Sequence, residues 1–174
     1  MNRSIVSSSW LAGTLSAMAA LGVLTFGVRK GTFAAADTDP YGYVSQAELI
    51  AGGSLRLEQQ LARSMPWPNA ESSFVPPGYA LSRVKGFAVP TYSTGLPLVM
   101  AGLERASGRR AAVFYAVPLL GAIAVWMTGR LGARMHSPLA GAMTAVLIAT
   151  SPSQRRYGQP KIALVGRLRR QKRQ

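Results

Sequence analysis

The first constraint on this chain is an uncharged segment of 25 residues, Ser4 to Val28, which lies between Arg3 and Arg29. From Leu11 onward its residues are mostly Leu, Ala, Val, Gly, Met and Phe, and they surround a helix instead of forming one apolar stripe. About 20 residues at a rise of about 1.5 Å cross a hydrocarbon core of about 30 Å. Residues 1–28 are therefore predicted to be a cytoplasmic N-terminus and a first transmembrane helix.

Two other interpretations of this segment were weighed. Ala34 and Ala36 offer a small-residue cleavage site for a secretory signal peptide. However, the segment is longer than the usual apolar region of about 7 to 15 residues, and Arg29 and Lys30 precede the proposed cut. A buried helix of a soluble protein would show a polar face. An uncleaved anchor is the preferred interpretation.

Two later segments extend the membrane pattern. Residues 111–129 are uncharged, follow Arg110 and contain Tyr115 and Trp126 near their ends, as interfacial aromatics do. Residues 137–154 form a weaker candidate, since their continuous apolar part is short. The predicted fold class is an all-α integral membrane protein with two to three transmembrane helices. Abundant Gly and Ala favour close packing of these helices, with each other or with other membrane subunits.

The section between the first two spans, residues 29–110, is predicted to be a large extracytoplasmic loop. All six Asp and Glu residues of the chain lie in this section. A turn at Asp39 and Pro40 opens a short helix that ends at Gly52 and Gly53, and a proline-rich, non-helical run follows. Pro97 is predicted to begin a second short helix that ends near Ser107 and lies in the membrane interface.

The charge of the chain is concentrated at its C-terminal end. The formal net charge is +14, and eight of the 20 Lys and Arg residues lie in residues 155–174. This basic tail is predicted to be disordered and to lie along anionic lipid headgroups. Nucleic-acid binding is disfavoured because the tail has no interleaved aromatics and no recognisable fold. The chain has no cysteine and one histidine, so no metal site is predicted.

Asp37 and Asp39 are the candidate chemical groups of the loop. Two carboxylates just outside a membrane helix can bind a cation, accept a proton or contact a polar headgroup. An Asp at this place can also simply cap the following helix. The spacing of the two residues leaves these roles open.

Several features together resemble a known family. They are the single anchor, the pattern Asp39, Pro40, Tyr43 and Ala47 directly after it, the proline-rich loop, the run Tyr92-Ser93-Thr94-Gly95-Leu96-Pro97-Leu98 and the small-residue spans. Over about residues 5–152 the chain resembles the N-terminal part of a bacterial GT-C membrane glycosyltransferase, similar to the dolichyl-phosphate-mannose protein mannosyltransferases of glycosyltransferase family 39.

The resemblance implies a function and a site. The family transfers a sugar from a polyprenyl-phosphate donor to an extracytoplasmic acceptor hydroxyl, in a multi-pass protein of the bacterial inner membrane. Asp39 matches the carboxylate that activates the acceptor. Pro40 replaces the Glu of the common motif, and Asp37 is a displaced substitute for it. Further candidates for substrate contact are Tyr43 and Tyr92, with Arg83 and Lys85 as candidates for the phosphate. The alternative for Arg83 and Lys85 is a solvated pair or one that faces the lipid headgroups.

The chain also departs from the family. Full members are longer, with more spans and often a soluble C-terminal domain, and the sequence from Ser153 onward does not resemble them. A truncated or frameshifted gene is expected to give such an end, and an isolated chain of this kind is expected to be inactive. The alternative function is a small non-enzymatic α-helical membrane protein with a structural or partner-binding role. The sugar, the acceptor and any dependence on a divalent metal stay open.

The predicted topology can be tested with reporter fusions at Gly53 and Met135. We expect an extracytoplasmic signal at Gly53 and a cytoplasmic one at Met135, because Arg130 and Arg134 then lie on the side that the positive-inside rule prefers. A third fusion at Gln174 reports whether residues 137–154 cross. An extracytoplasmic signal at Met135 would overturn this arrangement.

Overall fold

The computed structural model describes residues 3–31, 33–35 and 38–151, without the side chains of residues 3–9 and 11. The basic tail over 155–174 and the candidate residue Asp37 lie outside this part of the chain. The helices are α1 (Arg3–Lys30), α2 (Thr38–Ala51), α3 (Gln60–Ser64), α4 (Ala70–Ser73), α5 (Gly95–Ser107), α6 (Ala116–Met135) and α7 (Pro138–Thr150). The strands are β1 (Leu57–Glu58), β2 (Tyr79–Leu81) and β3 (Phe87–Pro90), and a 3-10 helix spans Arg110–Tyr115.

The chain is mostly helical, at 69% helix, as predicted, but the small sheet shows that an all-α class was too simple. It divides into two compact units. Of the described residues, the first comprises 3–31 and 117–151, and therefore holds α1, α7 and all but the first residue of α6. The second comprises residues 33–116 and holds the remaining elements.

Two helical segments are long and apolar enough to cross a membrane, Ala12–Lys30 and Arg110–Met135. Only 17% of the first apolar window and 28% of the second is buried. Large side chains therefore face outward, for example Met18, which is 68% exposed, and Met127, which is 59% exposed. Exposed apolar surface of this extent marks a contact with lipid or with another protein.

The second apolar segment differs in its bounds from the predicted span 111–129. It begins as the 3-10 helix, and α6 continues through Arg130 and Arg134 to Met135. Arginine is a good helix former, so a charge boundary in the sequence does not end the helix. Pro118 lies in the first turn of α6, where the N–H that it lacks would have no intrahelical partner.

The third apolar helix, α7, is shorter than the predicted segment 137–154. It has 13 residues, or about 20 Å of helix. It begins where the Ser137 hydroxyl accepts a hydrogen bond of 3.2 Å from the N–H of Ala140. It ends because Ser151 precedes Pro152 and adopts extended backbone, with φ −60° and ψ 147°.

Hydroxyl side chains in these apolar helices are satisfied locally. Thr25, Thr128, Thr144 and Thr150 each donate to the carbonyl four residues earlier, at 2.7 to 2.9 Å. The buried Ser16 donates in the same way to Ala12, at 2.9 Å. A satisfied hydroxyl costs far less in an apolar environment than a free one, so these polar residues do not interrupt the apolar character of the helices.

Small residues form the contacts between the helices of the first unit. Its buried core cluster contains Ala20 of α1, Ala122 and Val125 of α6 and Ala145 of α7. Gly141 of α7 is so close to α6 that an added Cβ would meet the carbonyl oxygen of Gly129 and Ala133. Close approach of the backbones thus replaces interlocking of large side chains.

The second unit contains an antiparallel three-stranded sheet of order β1-β3-β2, which the sequence analysis did not predict. In its register, Ala88 of β3 lies opposite both Leu57 of β1 and Leu81 of β2. Strands of two to four residues are too short to show the alternation by which strands are recognised. The proline-rich run before β2 is non-helical as predicted, apart from the four-residue α4.

Helices α2 and α5 pack against each other in the second unit. The predicted end of α2 is confirmed, since the helix stops at Ala51 and Gly53 adopts φ +79°. Helix α5 begins at Gly95, two residues before the predicted Pro97, and ends at Ser107 as predicted. Its buried face contains Pro97, Met100 and Ala101, while Leu98 and Val99 are exposed. Its placement in a membrane interface stays a prediction.

The contact between α6 and α7 can be tested with Gly141→Ala. The new methyl group would overlap the α6 backbone, so we expect the free energy of unfolding to fall by about 1 to 3 kcal/mol. Gly22→Ala is the matched control, because nothing lies within 4 Å of its added Cβ. That control should be neutral or stabilising, by up to about 1 kcal/mol. Thermal unfolding in detergent micelles, followed by circular dichroism, measures the stability of both variants. Equal stability of Gly141→Ala and Gly22→Ala would contradict the described packing.

Candidate functional site

The site begins with a hydrogen bond between two segments that are far apart in sequence. The hydroxyl Oη of Tyr92 donates to Oδ1 of Asp39 at 2.6 Å, across 53 residues. Asp39 lies in the first turn of α2, and Tyr92 follows the end of β3. The carboxylate is exposed, and its Oδ2 has no hydrogen-bond partner among the described residues. It is therefore free to accept a hydrogen bond from a ligand.

The structure bears on the alternative that Asp39 caps its helix. Asp39 follows Thr38 inside α2, so it is not the residue that precedes the helix. Its described hydrogen bond goes to the Tyr92 side chain and not to a backbone N–H of α2. Its negative charge in the first turn still favours the helix electrostatically. Asp37 lies outside the described residues.

The Tyr92 ring lies against two glycines. A Cβ on Gly42 of α2 would overlap the ring, and one on Gly78 would come within 2.6 Å of its Cε2. Gly78 has φ +83°, a conformation that residues with a side chain rarely adopt. Its carbonyl accepts hydrogen bonds of 3.0 Å from both the N–H and the hydroxyl of Thr91. These contacts fix the position of Tyr92 next to Asp39.

Tyr43 completes an aromatic pair at the site. Its ring centroid lies 4.9 Å from that of Tyr92, with a tilt of 41° between the ring planes. Both rings are partly exposed. A carboxylate beside partly exposed aromatic rings offers a hydrogen-bond acceptor and a flat apolar surface to the same ligand.

A second tyrosine is anchored directly after Gly78. Tyr79 is only 8% exposed, and its hydroxyl lies 2.6 Å from the hydroxyl of Ser45 on α2. Burial raises the pKa of Tyr79 above 10.0, against the opposing effect of the Ser45 hydrogen bond. The hydrogen bond between Tyr79 and Ser45 thus connects strand β2 to the helix that carries Asp39.

The hydrogen bond to Asp39 raises the pKa of Tyr92 above its ordinary value of 10.0. Partial desolvation and the negative charge of Asp39 act in the same direction. Tyr92 therefore stays protonated and keeps donating to the carboxylate over the whole neutral range. Towards alkaline pH, the stabilisation by this bond is retained up to the ordinary tyrosine pKa of 10.0 and is lost as the pH rises through the raised pKa.

Arg83 and Lys85 are not brought to Asp39. Both are exposed in the turn between β2 and β3, whereas Tyr92 follows the other end of β3. At about 3.3 Å per residue, even a short hairpin separates its turn from its open end by more than about 10 Å. The structure thus brings together Asp39, Tyr43 and Tyr92 of the predicted set and leaves the two basic residues elsewhere in the same unit.

Sequence reasoning missed the residues that support the site, namely Gly42, Gly78, Ser45 and Tyr79. One signal was present, since a glycine inside a helix often marks close approach by another group, as Gly42 does. Within residues 3–31, 33–35 and 38–151, no three His, Asp or Glu residues come together in a way that could hold a metal ion.

Comparison with known proteins adds no relative, because no family model, no curated protein and no solved structure matches this chain. The resemblance to the GT-C glycosyltransferases thus depends on the motifs of the chain itself.

The tyrosine environment can be tested by alkaline titration, followed by the ultraviolet absorbance of tyrosinate. Of the six tyrosines, Tyr79 and Tyr92 should ionise above pH 10, one because of burial and the other because of Asp39. Asp39→Asn should move the Tyr92 component to lower pH and leave that of Tyr79 unchanged. A Tyr92 component that does not respond to Asp39→Asn would contradict the described hydrogen bond.

Proposed function

We propose that this chain is a membrane protein of the bacterial inner membrane that carries the acceptor-activating part of a GT-C-type glycosyltransferase. Two helices that are long and apolar enough to cross a membrane, and that expose most of their apolar surface, support the membrane assignment. The second unit, which lies between them in sequence, then forms the extracytoplasmic part of the protein.

The observation that carries the proposal is the hydrogen bond between Asp39 and Tyr92. These residues belong to the two separate segments on which the resemblance to the family depends, the one that starts at Asp39 and the one that starts at Tyr92. Tyr43 belongs to the first segment and contacts the Tyr92 ring. Two motifs that resemble one family thus meet in one partly exposed group of side chains.

In this mechanism Asp39 acts as the general base. Tyr92 donates to Oδ1, and the acceptor hydroxyl donates to the free Oδ2. As the acceptor oxygen attacks the anomeric carbon of the sugar, its proton passes to the carboxylate. The bond from the anomeric carbon to the phosphate oxygen breaks, and its electron pair leaves with the polyprenyl phosphate. A positioned base of this kind contributes a rate factor of about 10² to 10⁴.

The other proposed substrate contacts follow from the position of the side chains. The exposed faces of Tyr43 and Tyr92 suit the apolar face of a sugar ring. Arg83 and Lys85 lie at the other end of the hairpin from Asp39, so they do not contact the phosphate that leaves the sugar there. Their positive charge would attract anionic lipid headgroups to their own turn. The sugar donor is linked to a polyprenyl phosphate, so membrane lipid is part of the substrate environment.

The proposal is tested by sugar transfer in membrane vesicles that contain the chain, supplied with radiolabelled polyprenyl-phosphate hexoses. We expect Asp39→Asn to lower the transfer rate by a factor of at least about 10², because the amide cannot accept the proton. Tyr92→Phe keeps the ring against its two glycines but removes the donor, and should lower the rate by about tenfold.

Glu58→Gln is the matched control, since Glu58 is an exposed carboxylate of the same unit that pairs with Arg63 at 2.9 Å. Its rate should equal that of the unmodified chain. Equal rates for Asp39→Asn and Glu58→Gln, where the unmodified chain supports transfer, would reject the enzymatic proposal and favour the alternative of a small non-enzymatic membrane protein. Absence of transfer by the unmodified chain would agree with the expected inactivity of an isolated chain.

A further inference from the structure

The second unit has a depression on its surface, apart from the Asp39 site, where helices α2 and α5 end. It has a volume of about 320 Å³, and its charged lining residues are Glu48, Glu104, Arg105 and Arg110. Glu48 precedes the end of α2 by three residues, and Glu104 precedes that of α5 by three. Neither Arg105 nor Arg110 takes part in the contact between Asp39 and Tyr92.

The charges around this depression do not neutralise each other directly. Among the described residues the structure contains one ion pair, Arg63 with Glu58, which lies elsewhere. Arg105 donates from Nε to the carbonyl oxygen of Ala51 at 3.1 Å, which satisfies the end of α2. Oε2 of Glu104 is buried and has no hydrogen-bond partner in the described part of the chain. Two carboxylates and two guanidinium groups thus line the depression, and no ion pair joins them among the described residues.

The arrangement favours a ligand that carries both signs of charge. The C-terminal ends of α2 and α5 add partial negative charge to that of Glu48 and Glu104, which attracts an ammonium group. Arg105 and Arg110 supply N–H donors that suit a phosphate. A divalent cation would meet two guanidinium groups, and a purely anionic ligand would meet two carboxylates. A zwitterion can pair its cationic group with the carboxylates and its anionic group with the guanidinium groups.

We propose that this depression binds a phosphoethanolamine group, with the ammonium toward Glu48 and Glu104 and the phosphate toward Arg105 and Arg110. Arg110 is the first residue of the apolar segment Arg110–Met135, which is long enough to cross a membrane. Once that segment is inserted, its first residue lies at the level of the lipid headgroups. A phosphatidylethanolamine headgroup is therefore the expected source, and soluble glycerophosphoethanolamine has the same chemistry. This binding does not depend on the glycosyltransferase proposal.

The first test uses the unmodified full chain. Native mass spectrometry measures its binding of phosphatidylethanolamine and of the mono-, di- and trimethylated lipids with the same acyl chains. The charge of the headgroup stays constant in this series while N–H donors are lost. We expect affinity to fall stepwise, by about tenfold in total, because each lost donor leaves a carboxylate less satisfied. Equal binding along the series would overturn the proposal.

Variants then locate the site. Glu48→Gln combined with Glu104→Gln should abolish the preference for phosphatidylethanolamine over phosphatidylcholine, and Glu58→Gln should retain it. Arg110→Gln should weaken the binding of both lipids. Retention of the preference in the double variant would overturn the assignment to this depression, as would binding of anionic phosphatidylglycerol that equals that of phosphatidylethanolamine.

Competition distinguishes the source of the ligand. Displacement of the lipid only at large excess of glycerophosphoethanolamine supports a membrane lipid as the natural occupant. Displacement at equal concentrations supports the same headgroup chemistry from a soluble source and overturns the assignment to a lipid.

Discussion

Both units depend on glycines that another group approaches closely: a helix backbone in the first unit and a tyrosine ring in the second. In the first unit, Gly141 allows α7 to lie against the carbonyl of Gly129 on α6. In the second unit, Gly42 and Gly78 leave the space that the Tyr92 ring occupies. A methyl group at Gly141 would overlap the α6 backbone, and one at Gly42 or Gly78 would displace the Tyr92 ring. The apolar helices therefore pack without large interlocking side chains, and the site keeps one fixed geometry.

The second unit shows how this packing controls chemistry. The Tyr92 ring lies against two glycines, and its hydroxyl donates to Asp39 at 2.6 Å. The hydrogen bond raises the pKa of Tyr92, so the tyrosine remains a donor. The carboxylate is oriented, one of its oxygens is occupied, and the other is left for a ligand. Tyr79 and Ser45 hold the neighbouring strand to the same helix, so the geometry does not depend on one contact alone.

Long elements were predictable because their signals are averaged over many residues. The apolar character of α1 and of Arg110–Met135 is visible in composition alone, and the ends of α2 and α5 follow from glycines that adopt positive φ. Short elements were not predictable. The strands of two to four residues form because Ala88 lies between Leu57 and Leu81, which is a long-range arrangement. The extent of α6 was also missed, because Arg130 and Arg134 were treated as a boundary although arginine continues a helix well.

The sequence by itself determined the helical class, the two apolar segments, the end of α2 and the residue types that resemble a glycosyltransferase family, because each is a local property of composition or spacing. The predicted turn at Asp39 and Pro40 was wrong, since α2 begins at Thr38 and includes both residues. Only the tertiary structure decided that Asp39, Tyr43 and Tyr92 meet while Arg83 and Lys85 lie at the other end of a hairpin. It likewise decided that Glu48, Glu104, Arg105 and Arg110 surround one depression. The physical reason is that contacts between residues far apart in sequence depend on the register of the sheet and on the space that glycines leave. Neighbouring residues alone determine neither the register nor that space.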